Sequence, residues 1–303
     1  MTDTPSKVAI VGSTASGKSA VAMAVARRLG NIEIVSIDSM QVYRGMDIGT
    51  AKATRAEQSE IAHHLLDLVE ATEEFTVAEF RDAYAAAMVS IGARGNRALL
   101  VGGTGLYHRV VIDDFDLPGQ WPELRAALEA DVDTAALFER LQTLDPLATT
   151  KIEPTNRRRI VRALEVTIGS GRPFSTFGPG VDDYPATPVM QIGLRWPRGV
   201  IAARIAERVR LMIENGLVAE VQFLAEAGLS RTAAQALGYK EILAAFDGAM
   251  SEDEAIAQII TRTRRFAVRQ ERWFRRDPRV RWIDVEHDAV AEAAPVVIEA
   301  LTT

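Results

Sequence analysis

The sequence contains no cysteine. Disulfide bonds, thiolate catalysis and cysteine-based metal sites are therefore excluded, and a reducing, cytoplasmic setting is expected. No stretch approaches the roughly 18 consecutive apolar residues that a membrane helix needs, so we expect no membrane partner. The first residues, MTDTPSK, lack the apolar region of a secretory signal, which also favours a cytoplasmic protein.

Net positive charge is lacking too, because 35 lysines and arginines are outnumbered by 41 acidic residues, for a net charge of −6. Many nucleic-acid-binding proteins are basic overall, so this total argues mildly against such a function. The distribution of charge argues the other way. Residues 262–281 contain nine arginines and only two acids, Glu271 and Asp277, and residues 157–162 contain four more arginines. The chain therefore has two basic segments that suit a polyanionic partner.

Short apolar runs alternate with helical patterns near the start of the chain. The runs at residues 8–11, 32–37 and 98–101 end at Gly12, Asp38 and Gly102. Helices are predicted at residues 18–29 and 75–91, the second with Thr76 as its N-cap and Glu79 three positions later. This alternation predicts an α/β fold in which helices cover both faces of a parallel sheet.

A different pattern begins near residue 117. Short helical stretches separated by proline and glycine predict a small all-helical domain inserted at residues 117–188. The α/β core is then expected to comprise residues 1–116 and 189–303. Its second part should contain a strand at 189–194, helices at 200–215, 218–227, 233–246 and 252–275, and a last strand at 281–285.

The first strand leads into a glycine-rich loop that matches G-x-x-x-x-G-K-[ST] and opens a helix. Backbone N–H groups of such a P-loop surround phosphate oxygens, the lysine adds a mobile positive charge, and the Ser19 hydroxyl can ligate Mg²⁺. The motif predicts a P-loop NTPase-like fold and a polyphosphate ligand. It does not show whether that ligand is ATP, another nucleotide or a different compound that carries a diphosphate. The predicted phosphate-binding residues are Gly12, Ser13, Thr14, Ala15, Ser16, Gly17, Lys18 and Ser19.

Two further segments should meet this loop, because ligands of open α/β sheets collect beyond the carboxyl ends of the strands. Asp38 ends one strand, where its carboxylate can accept a proton or hold Mg²⁺ through water; a purely structural turn is the alternative reading. After another strand, Gly102 and Gly103 permit close backbone approach, and Thr104 can donate a hydrogen bond. A tight strand-to-helix turn would also explain these glycines.

These segments, with others along nearly the whole chain, resemble the bacterial tRNA dimethylallyltransferases, also called isopentenyl-adenosine tRNA transferases. The combination of the DSMQ segment with GGTGLY is far more specific than the P-loop. The matching segments are GSTASGKS at residues 12–19, DSMQVYRGMDIGTAK at 38–52, GGTGLY at 102–107, NRRRIVRALEV at 156–166, ALGYKE at 236–241 and TRRFAVRQERWFR at 263–275.

The resemblance implies a transferase that modifies tRNA. Dimethylallyl diphosphate would give its five-carbon group to N6 of the adenosine on the 3′ side of the anticodon, releasing diphosphate. Residues 14–19 would bind the donor with Mg²⁺ on Ser19, Asp38 would be the catalytic base, and Thr104 would lie near the reacting oxygen. Residues implied or expected to contact the tRNA anticodon stem-loop are Asp38, Ser39, Met40, Gln41, Thr104, Arg158, Arg159, Ile160, Val161, Arg162, Arg265 and Arg269.

Some assignments stay open from the residues alone. Arg204 and Arg208 lie one turn apart on a predicted helix, where they add charge over the diphosphate or form a solvated salt-bridge face. We include Arg208 in the predicted diphosphate site. The main alternative functions are a P-loop kinase acting on a small metabolite and a nucleotide-binding interaction module without chemistry. No protein partner is evident, and we expect a monomer.

Overall fold

A computed structural model describes residues 7–113, 117–177 and 183–302. The first six residues, on which the expectation of no secretory signal is based, lie outside these ranges. Its centre is a six-stranded, all-parallel sheet with the strand order β3-β2-β4-β1-β5-β6. The predicted P-loop NTPase-like α/β fold is therefore confirmed. The strands are β1 Lys7–Gly12, β2 Ile32–Ile37, β3 His63–His64, β4 Arg97–Gly102, β5 Val189–Arg195 and β6 Val280–Asp284.

Helices cover both faces of the sheet, because alternate residues of each buried strand point to opposite sides. Ala9 and Val11 of β1 belong to one apolar core, and Val8 and Ile10 to the other. The helices are α1 Lys18–Leu29, α2 Arg55–Glu60, α3 Val77–Ala93, α4 Gly105–Asp113, α5 Pro122–Ala130, α6 Thr134–Leu144, α7 Pro146–Thr149, α8 Arg157–Ser170, α9 Arg198–Glu214, α10 Leu217–Ala227, α11 Tyr239–Phe246, α12 Glu252–Arg275 and α13 Ala289–Thr302. Helices α1 and α13 cover the second core, whereas α3, α4 and α9 to α12 cover the first.

The chain divides into two compact units, one formed by Met1–Asp113 with Tyr184–Thr303 and the other by Asp114–Asp183. Within its described residues the second unit contains helices α5 to α8 and a short 3-10 helix, Phe174–Thr176, around an apolar core of its own. Asp145 is buried there and accepts hydrogen bonds from the Ser175 backbone N–H at 2.7 Å and hydroxyl at 2.6 Å. These bonds fix the 3-10 segment against the end of α6.

Several predicted elements are confirmed, including α1, β2, α12 and the Thr76 cap of α3, whose Glu79 completes a capping box. The single helix predicted at residues 233–246 is wrong. A 3-10 helix, Ala233–Gln235, is separated from α11 by Gly238, which has a φ of 94° that favours glycine. Five short or terminal strands and α-helices were not predicted: β3, α2, α4, α7 and α13.

No helix within the described ranges is both long enough and apolar enough to cross a membrane.

Candidate active site

The three predicted loops meet because β1, β4 and β2 are parallel neighbours. Gly102 at the end of β4 pairs with Val11 of β1 and with Ile37 of β2. A Cβ atom on Gly102 would lie 2.2 Å from the Ile37 carbonyl oxygen, so a side chain at this position would push the two strand ends apart. The P-loop after β1, Asp38 after β2 and Thr104 after β4 are thereby brought to one edge of the sheet.

The P-loop adopts a backbone that few residues tolerate. Gly12 has a φ of 146° and Gly17 a φ of 94°, and Ala15 adopts a left-handed φ of 62° despite its side chain. No side chain among the described residues caps α1, so its first backbone N–H groups are left for a ligand. The positive end of the helix dipole and these amides together form an anion site.

Side chains from outside the loop hold its carbonyl groups in place. The indole Nε1 of Trp196 donates to the Ser16 carbonyl at 2.9 Å, and the guanidinium Nε of Arg204 donates to the Ala15 carbonyl at 2.9 Å. Arg204 also lies over the Trp196 ring, 4.7 Å from its centroid. These bonds fix the carbonyl groups of Ala15 and Ser16 beside the N–H groups that open α1. This role of Trp196 was not predicted from the sequence.

Two cations stand close together in this site. The Lys18 ammonium donates to the Ser13 carbonyl at 2.7 Å. Burial, and next the nearby Arg208 guanidinium, lower the pKa of Lys18, whereas Asp38 raises it; the resulting pKa is about 7. Burial also lowers the pKa of Arg208. Neither Arg204 nor Arg208 forms an ion pair with an acid in the described part of the chain, whereas Arg210 pairs with Glu207 at 2.6 Å. On α9, Arg210 therefore forms the salt bridge that was considered for Arg204 and Arg208.

Asp38 and Thr104 flank a single turn. The Oδ1 atom of Asp38 accepts the Met40 backbone N–H at 2.9 Å, and Thr104 Oγ1 accepts the Ser39 N–H at 3.3 Å. Asp38 thus fulfils the structural role that was the alternative to catalysis, but only with one oxygen. Its Oδ2 atom and the Thr104 hydroxyl hydrogen make no hydrogen bond with other described residues, so both are available to a substrate.

Residues 47–52 form a second wall, and their support was not predicted. Glu220 of α10 accepts the backbone N–H groups of Asp47, Ile48 and Gly49 at 2.7 to 3.0 Å. The buried Lys52 ammonium contacts both the Asp47 and the Asp67 carboxylates at 2.6 Å. These charge-assisted bonds make the segment a fixed wall.

Two adjoining cavities open between these walls, both inside the α/β unit. The central cavity, of about 520 Å³, gathers ten of the predicted site residues. They are Thr14, Lys18, Ser19, Asp38, Ser39, Met40, Gln41, Thr104, Arg208 and Arg269. The side cavity, of about 990 Å³, also contains Ala15, Ser16 and Gly17 and shares Lys18, Ser19 and Arg208 with the central one. Gly12 and Ser13 lie buried in the loop behind them.

Three of the nine arginines of residues 262–281 form ion pairs with acids of the same unit. Arg262 pairs with Glu241 at 2.7 Å, Arg275 with Glu271 at 3.7 Å and Arg279 with Asp277 at 2.7 Å, so these three serve the fold. Arg265 and Arg269 of α12 are exposed, and Arg269 also lines the central cavity. The basic surface is therefore narrower than the count of arginines indicates.

Five predicted tRNA contacts lie on α8 in the other unit. Ile160 and Val161 are buried in the core of that unit, and their contact with tRNA stays a prediction. The cause of their burial is the amphipathic pattern of α8, which turns these two residues inward. Arg158 and Arg159 are exposed, while Arg162 is partly buried and pairs with Glu165 at 3.0 Å.

The pKa of Lys18 leads to a testable expectation for anion binding. Above about pH 7 the lysine is mostly neutral, and a bound diphosphate would restore its charge, so binding should take up protons. We expect Lys18 to take up roughly 0.9 proton per bound anion at about pH 8 and roughly 0.1 at about pH 6. Titration calorimetry with inorganic pyrophosphate, in buffers of different ionisation enthalpy, measures this number.

Lys18→Arg is the matched variant, because a guanidinium stays charged at both pH values. It should lose the extra uptake at the higher pH, whereas Lys151→Arg, an exposed site in the other unit, should keep it. Equal uptake by the wild type and Lys18→Arg would show that Lys18 is already charged before binding.

Comparisons with known proteins agree with this geometry. The family model described as IPP transferase matches residues 41–277. Relatives named tRNA dimethylallyltransferase include one from Kineococcus radiotolerans, 50% identical over 91% of this chain and 90% of its own, and one from Salinispora tropica, 48% identical over 96% and 92%. The crystal structure of a tRNA isopentenylpyrophosphate transferase from Bacillus halodurans is 39% identical, with a TM-score of 0.71 over 98% of this chain and 97% of that one.

A eukaryotic dimethylallyltransferase structure, 24% identical with a TM-score of 0.79 over 96% of this chain and 77% of that one, shares the fold. The family model alone covers more than half of the chain, and these two relatives match 91% and 96% of it. The chain belongs to the IPP transferase family, together with these tRNA dimethylallyltransferases.

Proposed function

We propose that this protein transfers a dimethylallyl group from dimethylallyl diphosphate to N6 of the adenosine on the 3′ side of the anticodon in tRNA. The names of its relatives support the reaction class. The observation that carries the proposal is the central cavity, where Lys18 of the P-loop, the carboxylate of Asp38 and the hydroxyl of Thr104 line one space. The cavity thus offers a phosphate site to the prenyl donor and a base to the adenine.

The donor side of the cavity suits a leaving diphosphate. As the bond between C1 of the allyl group and the diphosphate oxygen breaks, negative charge grows on that oxygen. Lys18, Arg208 and the unbonded amides of α1 meet this charge in a partly desolvated place, where electrostatic stabilisation is strongest. No ATP is consumed, because the P-loop acts on the diphosphate of the prenyl donor.

Mg²⁺ fits the donor side by the chemistry of its oxygen atoms. This ion takes one or two protein oxygens together with substrate phosphates, and both the Ser19 hydroxyl and the Asp38 carboxylate line the central cavity. We assign Ser19 as the direct ligand. When bound, Mg²⁺ would neutralise part of the diphosphate charge.

The acceptor side provides for the adenine. The base must leave its stack, as in other enzymes that modify bases, and its N6 amino group is a weak nucleophile. When N6 bonds to C1 of the allyl group, one N6 proton goes to Asp38, and the electron pair of the broken C–O bond leaves with diphosphate. Thr104 can donate a hydrogen bond to the departing oxygen, and Ser39, Met40 and Gln41 would surround the base.

The RNA around that adenosine is held by phosphate contacts in this proposal. Arg265 and Arg269 present positive charge on α12, and Arg158, Arg159 and Arg162 do so on α8. Such contacts fix the register of the RNA without reading its bases. The acidic total of the chain does not oppose this role, because the arginines are concentrated on two helices.

Transfer of label is the direct test. Labelled dimethylallyl diphosphate, incubated with Mg²⁺ and unmodified bulk tRNA but without ATP, should give labelled tRNA and free diphosphate. The label should be found on N6 of one adenosine after nuclease digestion and mass spectrometry. ATP hydrolysis or phosphoryl transfer to a metabolite, with no labelled tRNA, would instead establish the kinase alternative.

Asp38→Asn should separate chemistry from binding. The amide oxygen can still accept the Met40 N–H, so the turn is kept, but the side chain no longer takes a proton. Loss of a general base lowers kcat by roughly 10²- to 10⁴-fold, and we expect the Kd for tRNA to change less than about threefold. Parallel and equal losses of turnover and tRNA affinity would make Asp38 a binding residue.

The arginine assignment predicts a strong salt dependence of tRNA binding. Each phosphate contact contributes about 0.7 on a single strand and about 0.9 on B-DNA to the magnitude of the slope of log Kobs against log salt concentration, so Arg265→Ala combined with Arg269→Ala should reduce that magnitude by up to about 2. Arg210→Ala is the control, since Arg210 is engaged by Glu207 and Glu214. A slope near zero for the wild type, or an equal loss in the control, would contradict the assignment.

A further inference from the structure

Gln270 of α12 joins two parts of the site that are far apart in sequence. Its side-chain Oε1 accepts the backbone N–H of Thr14 at 2.8 Å, and its Nε2 donates to the carbonyl of Gly103 at 2.9 Å. Thr14 belongs to the P-loop, and Gly103 precedes Thr104. One partner can only donate and the other can only accept, so the two bonds fix the orientation of the amide.

The packing around Gln270 is too tight to allow another arrangement. The residue is 7% exposed, and a Cβ atom on Gly103 would lie 2.4 Å from its Nε2. One turn along α12, the Trp273 ring lies against Gly105, where a Cβ atom would be 2.2 Å from the indole Nε1. Helix α12 is therefore in direct contact with the backbone on both sides of Thr104.

The same helix carries the exposed arginines. Arg269 is the neighbour of Gln270 in sequence, and both line the central cavity, while Arg265 lies just over one turn earlier. A helix is stiff over this length, so the position of these arginines and the position of the Thr104 turn are mechanically linked through Gln270 and Trp273.

We propose that Gln270 is a positioning residue for group transfer: it sets the P-loop at a fixed distance from the Thr104 turn, and so sets the leaving diphosphate against the attacking adenine. This inference rests on the proposed function. Its chemical basis is that a misplacement of about 1 Å between reactants can lower the rate by roughly 100-fold. Binding of either substrate alone needs only one of the two segments and should change little.

Gln270→Glu provides a pH-dependent test. The carboxylate can accept from Thr14, but it faces the Gly103 carbonyl with no hydrogen to donate. The protonated carboxyl regains both bonds. Burial and the facing Gly103 carbonyl raise its pKa above the ordinary value of about 4.3, against the opposing charges of Lys18, Arg208 and Arg269, which line the same cavity. We expect kcat to be roughly 100-fold below wild type at about pH 8 and within roughly tenfold at about pH 6, with KM for either substrate changed less than about threefold.

Two further variants complete the test. Gln270→Met has a similar length and makes neither bond, so its kcat should be low at both pH values, with no recovery in acid. Gln222→Glu places the same new carboxyl at an exposed position of α10 and should match the wild type throughout. Thermal unfolding of each variant at both pH values checks that it is folded.

The outcomes separate the two claims. Transfer by the wild type together with a kcat ratio of Gln270→Glu to wild type that does not change with pH, or a loss that appears in KM alone, overturns the role of Gln270. Absence of transfer by the wild type overturns the proposed function and this inference with it. Recovery of Gln270→Glu in acid, without recovery of Gln270→Met, supports the positioning role.

Discussion

The close contact between the carboxyl ends of β2 and β4 is the constraint on which the site depends. Gly102 leaves no room for a side chain beside Ile37, and β4 lies directly between β2 and β1. Because all strands run in parallel, the segments that follow them emerge on the same edge. A phosphate loop, a carboxylate and a hydroxyl therefore converge although about 25 and then about 65 residues separate them along the chain.

The electrostatics of this edge follow from bringing cations together before the anion arrives. Lys18 and Arg208 repel one another in a partly buried place, and burial lowers the pKa of both. A multiply charged anion offsets this repulsion between the cations, whereas a neutral ligand does little to offset it. The backbone of the loop is also strained before the anion binds. Ala15 keeps a left-handed backbone conformation, and Arg204 donates a hydrogen bond to its carbonyl group. The site is thus organised in advance for a multiply charged anion.

Local patterns predicted the parts of the site whose chemistry is contained in one segment. The P-loop, Asp38 at a strand end and the Thr76 cap each depend on residues a few positions apart. The supports of those segments come from distant positions: Gln270 bonds a residue 256 positions away, Trp196 one 180 away and Glu220 one 172 away. No period or spacing records such pairs. A motif identifies a segment, whereas only packing shows that Ile160 and Val161 face inward.

Helix α12 gives a physical reason why an acidic protein can use RNA binding for catalysis. Energy gained from remote parts of a substrate accelerates a reaction only when it is spent on placing the reacting atoms. Arg265 and Arg269 share a stiff helix with Gln270, which bonds both the P-loop and the turn before Thr104. In the proposed reaction, RNA bound at these arginines would act on the transfer through the geometry of one amide group. The glycines at positions 103 and 105 allow that amide and Trp273 to approach the backbone so closely.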